Sequence, residues 1–209
     1  MAKFENLRGI KAVAFDLFGT LVEIGEKRRP YRQLMQHIAS AGRIPQPDDA
    51  ATLMSNNVGL AGAAHLFGIE LPAVQIAALE LELYAELPTI RLYPEAARCL
   101  YALRDAGYKI GLCSNLSAPY AIPVKLLLPF ELDAYTWSFE AGAVKPQRAI
   151  FETLCDGLQC APEEVLMVGD TVEADYFGPR VLGMRSIFLA RQGDSPVEEW
   201  IRNLDELVL

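Results

Sequence analysis

Short apolar runs alternate with amphipathic stretches over much of the chain. An apolar run bounded by polar residues, glycine or proline predicts a buried strand, and apolar residues repeated every three or four positions predict a helix. Five runs predict strands, at 10–15, 108–113, 136–139, 165–168 and 186–189. Helical patterns lie between them at 94–107, at 147–157 and before Gly183, and 197–207 predicts a terminal helix. Strands separated by helices predict an α/β fold with a parallel sheet and right-handed crossovers.

Residues 22–90 carry a different pattern, because they contain no convincing strand. Helices are predicted to begin near Pro30, Pro47, Ala61 and Pro72. The last of these helices has an apolar stripe that runs from Val74 to Ala85. We therefore predict that this block is a helical insertion lying outside the sheet.

Composition limits the classes of function that this fold could serve. The 209 residues are 52% hydrophobic and 22% charged, which is typical of a globular protein. The net charge is −8 and the pI is about 4.9, which argues against a general nucleic-acid or anionic-membrane surface. No run has the length of a transmembrane helix or the apolar core of a signal peptide, so we expect a cytoplasmic protein that does not bind membranes.

Cysteine and histidine are too sparse to form common catalytic or metal sites. The four cysteines form no Cys-x-x-Cys pair, and we expect them to be reduced packing residues. His37 and His65 are the only histidines. A histidine-based metal site and Ser-His-Asp chemistry are therefore both disfavoured.

Polar side chains recur where the predicted strands end or in the loops that follow. The carboxyl ends of parallel strands meet in one crevice, which is where open α/β sheets bind ligands. The residues concerned are Asp16, Ser114, Asn115, Lys145, Asp170 and Asp175. Clustered carboxylates repel one another unless a cation neutralises them, and oxygen ligands without histidine favour Mg²⁺. This set predicts an anionic substrate, most simply a phosphate ester, with an aspartate placed for attack.

The order of these residues resembles the four motifs of the haloacid dehalogenase superfamily of hydrolases, and the resemblance covers nearly the whole chain. The motifs are Asp16-Leu-Phe-Gly-Thr20, Ser114-Asn115, Lys145-Pro146 and Gly169-Asp170-Thr-Val-Glu-Ala-Asp175. The resemblance implies a doubly wound, Rossmann-like parallel sheet formed by residues 1–21 and 91–209. It also implies that residues 22–90 form a small helical cap. We further expect this cap to close over the site, with hinges near 21–25 and 87–92.

The resemblance further implies roles for the matching residues. Asp16 would be the nucleophile and would form a covalent aspartyl intermediate that water later hydrolyses. In phosphatase-like members Mg²⁺ would be bound by the Asp16 carboxylate, the backbone carbonyl of Phe18 and Asp170. Asp175 would bind the ion through water or support its ligands.

The remaining motif residues would bind the substrate. Ser114 and the amide of Asn115 would hold the transferring group. Lys145 would neutralise the substrate and orient Asp16. The substrate itself is expected to be a small anionic molecule, and the pattern leaves open whether the protein is a monomer or a homodimer.

Phe18 is where the chain departs from the phosphatase pattern. Phosphatases of this superfamily usually carry a second aspartate two positions after the nucleophile, which protonates the leaving group and later activates water. The backbone carbonyl survives any substitution, whereas the general acid is lost. Such help is worth about 10² to 10⁴ in rate, so phosphatase chemistry would be slowed most for poor leaving groups.

Three hypotheses about function follow. The first is a magnesium-dependent phosphohydrolase. The second is a metal-independent 2-haloacid dehalogenase, because an aromatic residue before Gly-Thr is typical of these enzymes and halide needs no proton. Dehalogenases are expected to lack an acid at the position of Asp170 and to receive the halide with a cap arginine. The candidate arginines are Arg28, Arg29, Arg32 and Arg43, and the first three are better explained as one solvated helix face. The third is a weakly active member that binds a ligand or a partner.

Overall fold

The computed structural model describes residues 7–208, and a parallel sheet of six strands lies at its centre. The strands are β1 (Ala12–Phe15), β2 (Val22–Ile24), β3 (Ile90–Leu92), β4 (Lys109–Ser114), β5 (Ala134–Trp137), β6 (Val165–Gly169), β7 (Arg185–Leu189) and β8 (Trp200–Ile201). The central sheet has the order β5-β4-β1-β6-β7-β8, and every neighbouring pair in it is parallel. The predicted α/β class with a doubly wound sheet is therefore confirmed.

The helices of the described residues fall into two groups. The helices are α1 (Pro30–Ser40), α2 (Asp49–Met54), α3 (Leu60–Leu66), α4 (Ala73–Glu86), α5 (Ala96–Asp105), α6 (Ala121–Leu127), α7 (Ser138–Ala141), α8 (Arg148–Leu158), α9 (Gly178–Val181) and α10 (Asp205–Val208). The first four lie between β2 and β3, and the others connect or follow the strands of the sheet. A π-helical turn, Val172–Phe177, precedes α9.

Strand β1 is buried on both faces because helices cover both sides of the sheet. Val13 and Phe15 belong to one apolar cluster, and Ala12 and Ala14 belong to the cluster on the opposite face. The small side chains of the second pair lie in the same cluster as helix α8. Continuous burial of this kind is typical of a central parallel strand and fixes the direction in which β1 delivers Asp16.

The last predicted helix, 197–207, is wrong. This segment instead contains β8 and the short helix α10. The N–H of Phe188 donates to the carbonyl of Glu199, and the N–H of Ala190 donates to that of Ile201. The open edge of β7 thus supplies partners that outweigh the helical pattern of the segment.

Two further predicted boundaries are wrong. Strand β5 begins two residues before the predicted 136–139, and α7 begins where that strand was predicted to continue. Gly157 lies within α8, which ends at Leu158, although it was predicted to terminate the helix. A Cβ atom at Gly157 would lie 3.2 Å from Cβ of Ala134, so close packing of α8 against β5 favours a residue without a side chain.

Residues 22–90, which we call the helical segment, contain the predicted helices but also strand. β2 and β3 pair antiparallel, with Val22 opposite Leu92 and Ile24 opposite Ile90. These strands have three residues each, which is too short for a recognisable alternation, and their pairing joins the two ends of the segment. The prediction that this block contains no convincing strand is therefore wrong, and its function as a separate cap domain stays a prediction.

Helix α4 exposes the apolar stripe that its sequence predicts. Val74, Leu81 and Tyr84 are 75%, 69% and 62% exposed, whereas Leu79 and Leu83 are buried. The helix is apolar on more than one face, so hydrophobic periodicity alone did not identify the face that packs inward.

The described residues include no helix that is both long and apolar enough to span a membrane. All four cysteines are free thiols, and three of them are buried. His37 is half-buried and His65 is exposed.

Candidate active site

The chain brings all the predicted site residues to one end of the sheet. Asp16 and Asp170 follow β1 and β6, Ser114 ends β4, and Lys145 follows the short helix α7. Together they surround a cavity of about 170 Å³. The cavity is lined by Asp16, Phe18, Ser114, Asn115, Lys145, Asp170, Thr171, Ala174 and Asp175.

Lys145 joins two of the three carboxylates. Its side chain is 2% exposed, and its Nζ lies 2.7 Å from Oδ1 of Asp16 and 2.6 Å from Oδ1 of Asp175. The other oxygen of Asp175 accepts a hydrogen bond from the N–H of Thr171 at 3.0 Å. Both oxygens of Asp175 are therefore engaged by the protein, and Lys145 holds one oxygen of Asp16 in a defined position.

The three carboxylates form a site that could hold a cation. Asp16, Asp170 and Asp175 each offer an oxygen atom, and these atoms lie within 4.8 Å of one another. When all groups are ionised, three negative charges face the single positive charge of Lys145, and two negative charges remain in excess. One divalent cation with a preference for oxygen ligands would balance them.

Burial and the excess of negative charge together shift the pKa values of these groups. Burial raises the pKa of Asp16 to about 7, against the opposing effect of Lys145 and with further contributions from Asp175 and Asp170. Burial and the charge of Asp175 also raise the pKa of Asp170. Burial alone would lower the pKa of Lys145, but Asp16 and Asp175 raise it above its ordinary value, so the ammonium stays charged.

Two glycines make room for the carboxylates. Gly19 has a φ of +90°, and a Cβ atom there would overlap the carboxylate of Asp170. A Cβ atom at Gly169 would overlap the carboxylate of Asp175. These acids thus lie directly against the backbone of the loop after β1 and of the end of β6, which only a residue without a side chain permits.

Ser114 and Asn115 differ in what they can offer a ligand. The Oγ of Ser114 is buried and has no hydrogen-bond partner within residues 7–208, so it is available to a molecule in the cavity. The side chain of Asn115 accepts from the N–H of Lys145 at 2.7 Å and donates to its carbonyl at 2.9 Å. This carboxamide positions Lys145, so any donor from Asn115 to a substrate would be its backbone N–H.

Phe18 packs against Tyr120, which connects the core to the helical segment. Its ring packs edge-on against Tyr120, with the ring centroids 5.8 Å apart. The hydroxyl of Tyr120 donates to Glu86 at 2.5 Å, and the same carboxylate accepts from the N–H groups of Arg28 and Arg29. Glu86 thereby connects helix α4, the start of α1 and the core.

The backbone carbonyl of Phe18 lies outside the adjoining turn hydrogen bonds. Phe18 and Val22 form a parallel β-bridge. In this bridge the N–H of Gly19 donates to the carbonyl of Val22, and the N–H of Val22 donates to the carbonyl of Leu17. The carbonyl of Phe18 therefore does not take part in that pair of bonds.

None of the four candidate halide-binding arginines lines the cavity. Arg43 makes a two-bonded ion pair with Asp49, and its guanidinium lies over the ring of Phe67. Arg28 pairs with Glu26 and Glu82. The expected common helix face is wrong, because Arg28 and Arg29 precede α1 and only the exposed Arg32 belongs to it.

Arg191 is a residue near the site that the sequence analysis did not identify. It follows β7 and donates to the carbonyls of Gly19 and Thr20 in the loop after β1. It also pairs with Glu95 at 2.6 Å. The rule that identified the other residues, a polar side chain just after a strand, could have found Arg191, since β7 ends at Leu189.

A second, larger cavity borders the site on the side of Asp170. Its volume is about 620 Å³, and Gly19 and Asp170 contribute to its wall. Lys27, Tyr93 and Arg191 also line it. The smaller cavity has room for little more than the transferring group of a substrate, whereas the larger one could hold more of it.

Comparison with known proteins places these features in a family. Residues 10–183 match the family model described as haloacid dehalogenase-like hydrolase. The glyceraldehyde 3-phosphate phosphatase of Methanothermobacter thermautotrophicus is 24% identical over 193 residues, which are 86% of this chain and 85% of that protein.

Two other proteins are similar to this chain, one of them in its solved structure and the other in its sequence. The crystal structure of a haloacid dehalogenase-type phosphatase from Thermococcus onnurineus has a TM-score of 0.66 and 25% identity, and the match covers 95% of this chain and 96% of that one. The (S)-2-haloacid dehalogenase 4A of Burkholderia cepacia is 30% identical over 110 residues, which are 52% of this chain and 47% of its own. The relatives thus include both phosphatases and a dehalogenase.

Proposed function

This chain belongs to the haloacid dehalogenase-like hydrolases, and we propose that it is a magnesium-dependent phosphohydrolase that acts on a small phosphorylated molecule through an aspartyl intermediate on Asp16. The observation that carries the proposal is the presence of Asp170 beside Asp16. An anionic substrate would be repelled by a site with three carboxylates and one ammonium. A bound divalent cation removes this repulsion, whereas a reaction without a metal would have no use for the carboxylate of Asp170.

The residues of the site fit a magnesium ion. Asp16, Asp170 and the backbone carbonyl of Phe18 would hold it, and all three are hard oxygen donors. Asp175 would support the ligands, because both of its oxygens are already bound by Lys145 and Thr171. When bound, the ion neutralises the oxygens of the phosphoryl group and helps to orient it.

The side chains of the chain itself account for the transfer. A carboxylate oxygen of Asp16 attacks phosphorus, a bond forms between them, and the bond from phosphorus to the leaving-group oxygen breaks. Lys145 holds the carboxylate through Oδ1 and offsets negative charge on the transferring group. Ser114 donates its free hydroxyl to a phosphoryl oxygen. Water then attacks the phosphoryl-aspartate, which releases phosphate and regenerates Asp16.

The leaving group receives no proton from the position where phosphatases of this type carry their acid. Phe18 fills that position, and its ring is packed against Tyr120. We therefore propose that the preferred substrates have leaving groups that are stable as anions, such as aryl oxides.

The helical segment would act as a cap over this site. Its connections run through the paired strands β2 and β3, which lie close to the predicted hinges. The hydrogen bond from Tyr120 to Glu86 and the one from Ser138 to the carbonyl of Met54 hold the segment to the core. Breaking a few such bonds would let the segment move and admit substrate.

A 2-haloacid dehalogenase is the second candidate, and Phe18 is the observation that favours it. In that reaction a carboxylate oxygen of Asp16 displaces halide from carbon, the halide leaves with the electron pair, and no proton is needed. None of the four candidate arginines lines the cavity, however, and Arg43 is engaged by Asp49. A member that only binds a ligand is the third candidate, and the retained pair of Asp16 and Lys145 opposes it.

Two assays separate these candidates. The phosphohydrolase hypothesis predicts that para-nitrophenyl phosphate is hydrolysed only with Mg²⁺ and that Asp16→Asn abolishes turnover at every Mg²⁺ concentration. Asp170→Asn is the matched variant, and it should raise the Mg²⁺ concentration needed for activity. Chloride release from 2-chloropropionate in the presence of a chelator would instead establish the dehalogenase. If the protein binds either compound but turns over neither, the third hypothesis, a family member that only binds a ligand, would be favoured.

A further inference from the structure

We infer that Arg191 is a positioning residue for the cation site, which it serves by fixing the backbone of the loop that carries Phe18 and contacts Asp170. The inference rests on the proposed magnesium site and adds a residue that lies outside all four motifs. Arg191 comes 21 residues after Asp170 and reaches back to a loop that is more than 170 residues earlier in the chain.

The guanidinium of Arg191 uses each of its nitrogen atoms. Nε donates to the carbonyl of Gly19 at 2.8 Å, and Nη2 donates to the carbonyl of Thr20 at 2.6 Å. Nη1 donates to the carboxylate of Glu95 at 2.6 Å. The plane of the group lies over the ring of Tyr93, with Cζ 3.5 Å from the ring centroid. Two successive peptide groups are therefore tied to the loop after β7 and to the start of α5.

The tied peptide groups are next to the atoms that would bind the ion. Gly19 lies directly against the carboxylate of Asp170, and its peptide nitrogen is bonded to the carbonyl carbon of Phe18. Within the loop, the N–H of Gly19 donates to Val22 at 2.9 Å. Arg191 holds the same residue from its carbonyl side. A rotation of this loop would move Gly19 and the adjoining Phe18 carbonyl relative to Asp170, and the two hydrogen bonds from Arg191 oppose that rotation.

The geometry requires an arginine. A guanidinium presents its donors in one plane, so it can reach two consecutive carbonyls and a carboxylate while its face stacks on an aromatic ring. An ammonium is a compact charge without that fork, so a lysine could keep the ion pair with Glu95 but not all the other contacts. Arg191→Lys therefore preserves the positive charge but cannot keep both contacts with the loop after β1.

Arg180 offers a matched control elsewhere in the molecule. Its Nε and Nη2 donate to the side chain and the carbonyl of Ser186, and it also pairs with Glu199. Its guanidinium lies 4.0 Å from the ring centroid of Tyr176. Arg180 thus makes the same kinds of contact as Arg191, but it does not touch the loop after β1 or line the cavity at Asp16.

The test is the affinity of the protein for Mn²⁺ without substrate, measured from the electron paramagnetic resonance signal of the free ion. Loss of a residue that orients a metal ligand typically weakens metal binding about 10- to 100-fold. We expect a loss of this size for Arg191→Lys and none for Arg180→Lys, although both should lower the thermal unfolding temperature. Guanidinium ion at low millimolar concentration should restore Mn²⁺ binding to Arg191→Ala, and ammonium ion should not.

The possible results have distinct meanings. Equal Mn²⁺ affinity in the wild type and in both lysine variants would overturn the role of Arg191 and leave the proposed function intact. A wild type that binds no Mn²⁺ would refute the cation site itself. If Arg191→Lys does not fold, Glu95→Gln replaces it, because it removes only the carboxylate that anchors the guanidinium. Unchanged Mn²⁺ affinity in Glu95→Gln would also refute the inference.

Discussion

Replacing Phe18 with aspartate should speed the proposed phosphatase reaction for substrates with poor leaving groups. The substitution puts a carboxyl group two residues after Asp16, where the cavity already contains three acids. Repulsion from these neighbours should raise the pKa of the new carboxyl, which favours its protonated form as a donor. The leaving alkoxide would then receive its proton inside the site.

The size of the gain follows from the chemistry that is restored. General acid catalysis contributes about 10² to 10⁴ in rate, which corresponds to about 2.7 to 5.4 kcal/mol of barrier. The substitution also removes the edge-on contact between Phe18 and Tyr120, and such a pair is worth about 0.5–1.5 kcal/mol in addition to its buried area. The protein should therefore lose stability while it gains rate, and the two effects must be measured separately.

Phe18→Asn is the control that separates them. Asparagine has nearly the shape of aspartate and removes the same ring contact, but it cannot donate a carboxyl proton. Both variants should show a similar loss in the free energy of unfolding by urea denaturation. Only Phe18→Asp should raise kcat/KM for glycerol 2-phosphate, and the gain for para-nitrophenyl phosphate should be much smaller because its leaving group needs no proton.

The comparison of the two variants decides the argument. If Phe18→Asp is no faster than Phe18→Asn with glycerol 2-phosphate, the missing acid does not limit the rate. In that case another group already supplies the proton, or phosphoryl transfer is not the reaction of this site.

The other predictions concern reactivity, pH and specificity. Ellman's reagent should react with Cys160 in the native protein and with the other three thiols only after unfolding. Those three thiols are buried, and burial raises the pKa of each to about 11 or 12. Equal rates for all four thiols would contradict this prediction. Arg43 lowers the pKa of Asp49. The ion pair therefore stabilises the protein above the pKa that this carboxyl has in the unfolded chain, and the stabilisation is lost as the pH falls through its pKa in the folded protein. Urea denaturation across that pH range should show a weaker acid dependence of stability in Arg43→Gln. Lys27 borders the larger cavity and has no ion-pair partner within residues 7–208, so Lys27→Gln should raise KM for a phosphate ester that carries a carboxylate but not for para-nitrophenyl phosphate. The same change of charge at Arg32, which is exposed on α1, should alter neither KM.

Most of the central sheet could be predicted because its strands are buried on both faces. A run such as Ala12–Phe15, which is fully buried, must be apolar at every position, and that requirement is visible in one sequence. The strand β8 has two residues and exists because the edge of β7 offers hydrogen-bond partners. The sequence of 197–207 contains no information about the edge of β7, so the helical pattern of this segment predicts the wrong structure.

The face of a helix that packs inward was less predictable than its presence. Helix α4 was expected from its pattern, yet Val74 and Leu81 are exposed while Glu86 is buried. Periodicity describes one helix, whereas burial depends on which neighbours surround it. Glu86 is buried because Tyr120 and the N–H groups of Arg28 and Arg29 satisfy its carboxylate.

The set of side chains that meets at the end of the sheet could be predicted from the sequence pattern. Asp16, Ser114 and Asp170 end or follow buried strands, and parallel strands deliver their ends to the same crevice, so local pattern and sheet topology suffice to bring them together. Phe18 was also recognisable as a departure from the phosphatase pattern, since that required only its position relative to Asp16.

The contacts that hold these groups in place are visible only in the folded protein. It places the Asn115 carboxamide on the backbone of Lys145, and it places Arg191 on the carbonyls of Gly19 and Thr20. The physical reason is that hydrophobic periodicity records burial along a single element. Hydrogen bonds between residues 30 to 172 positions apart depend instead on how the elements pack together.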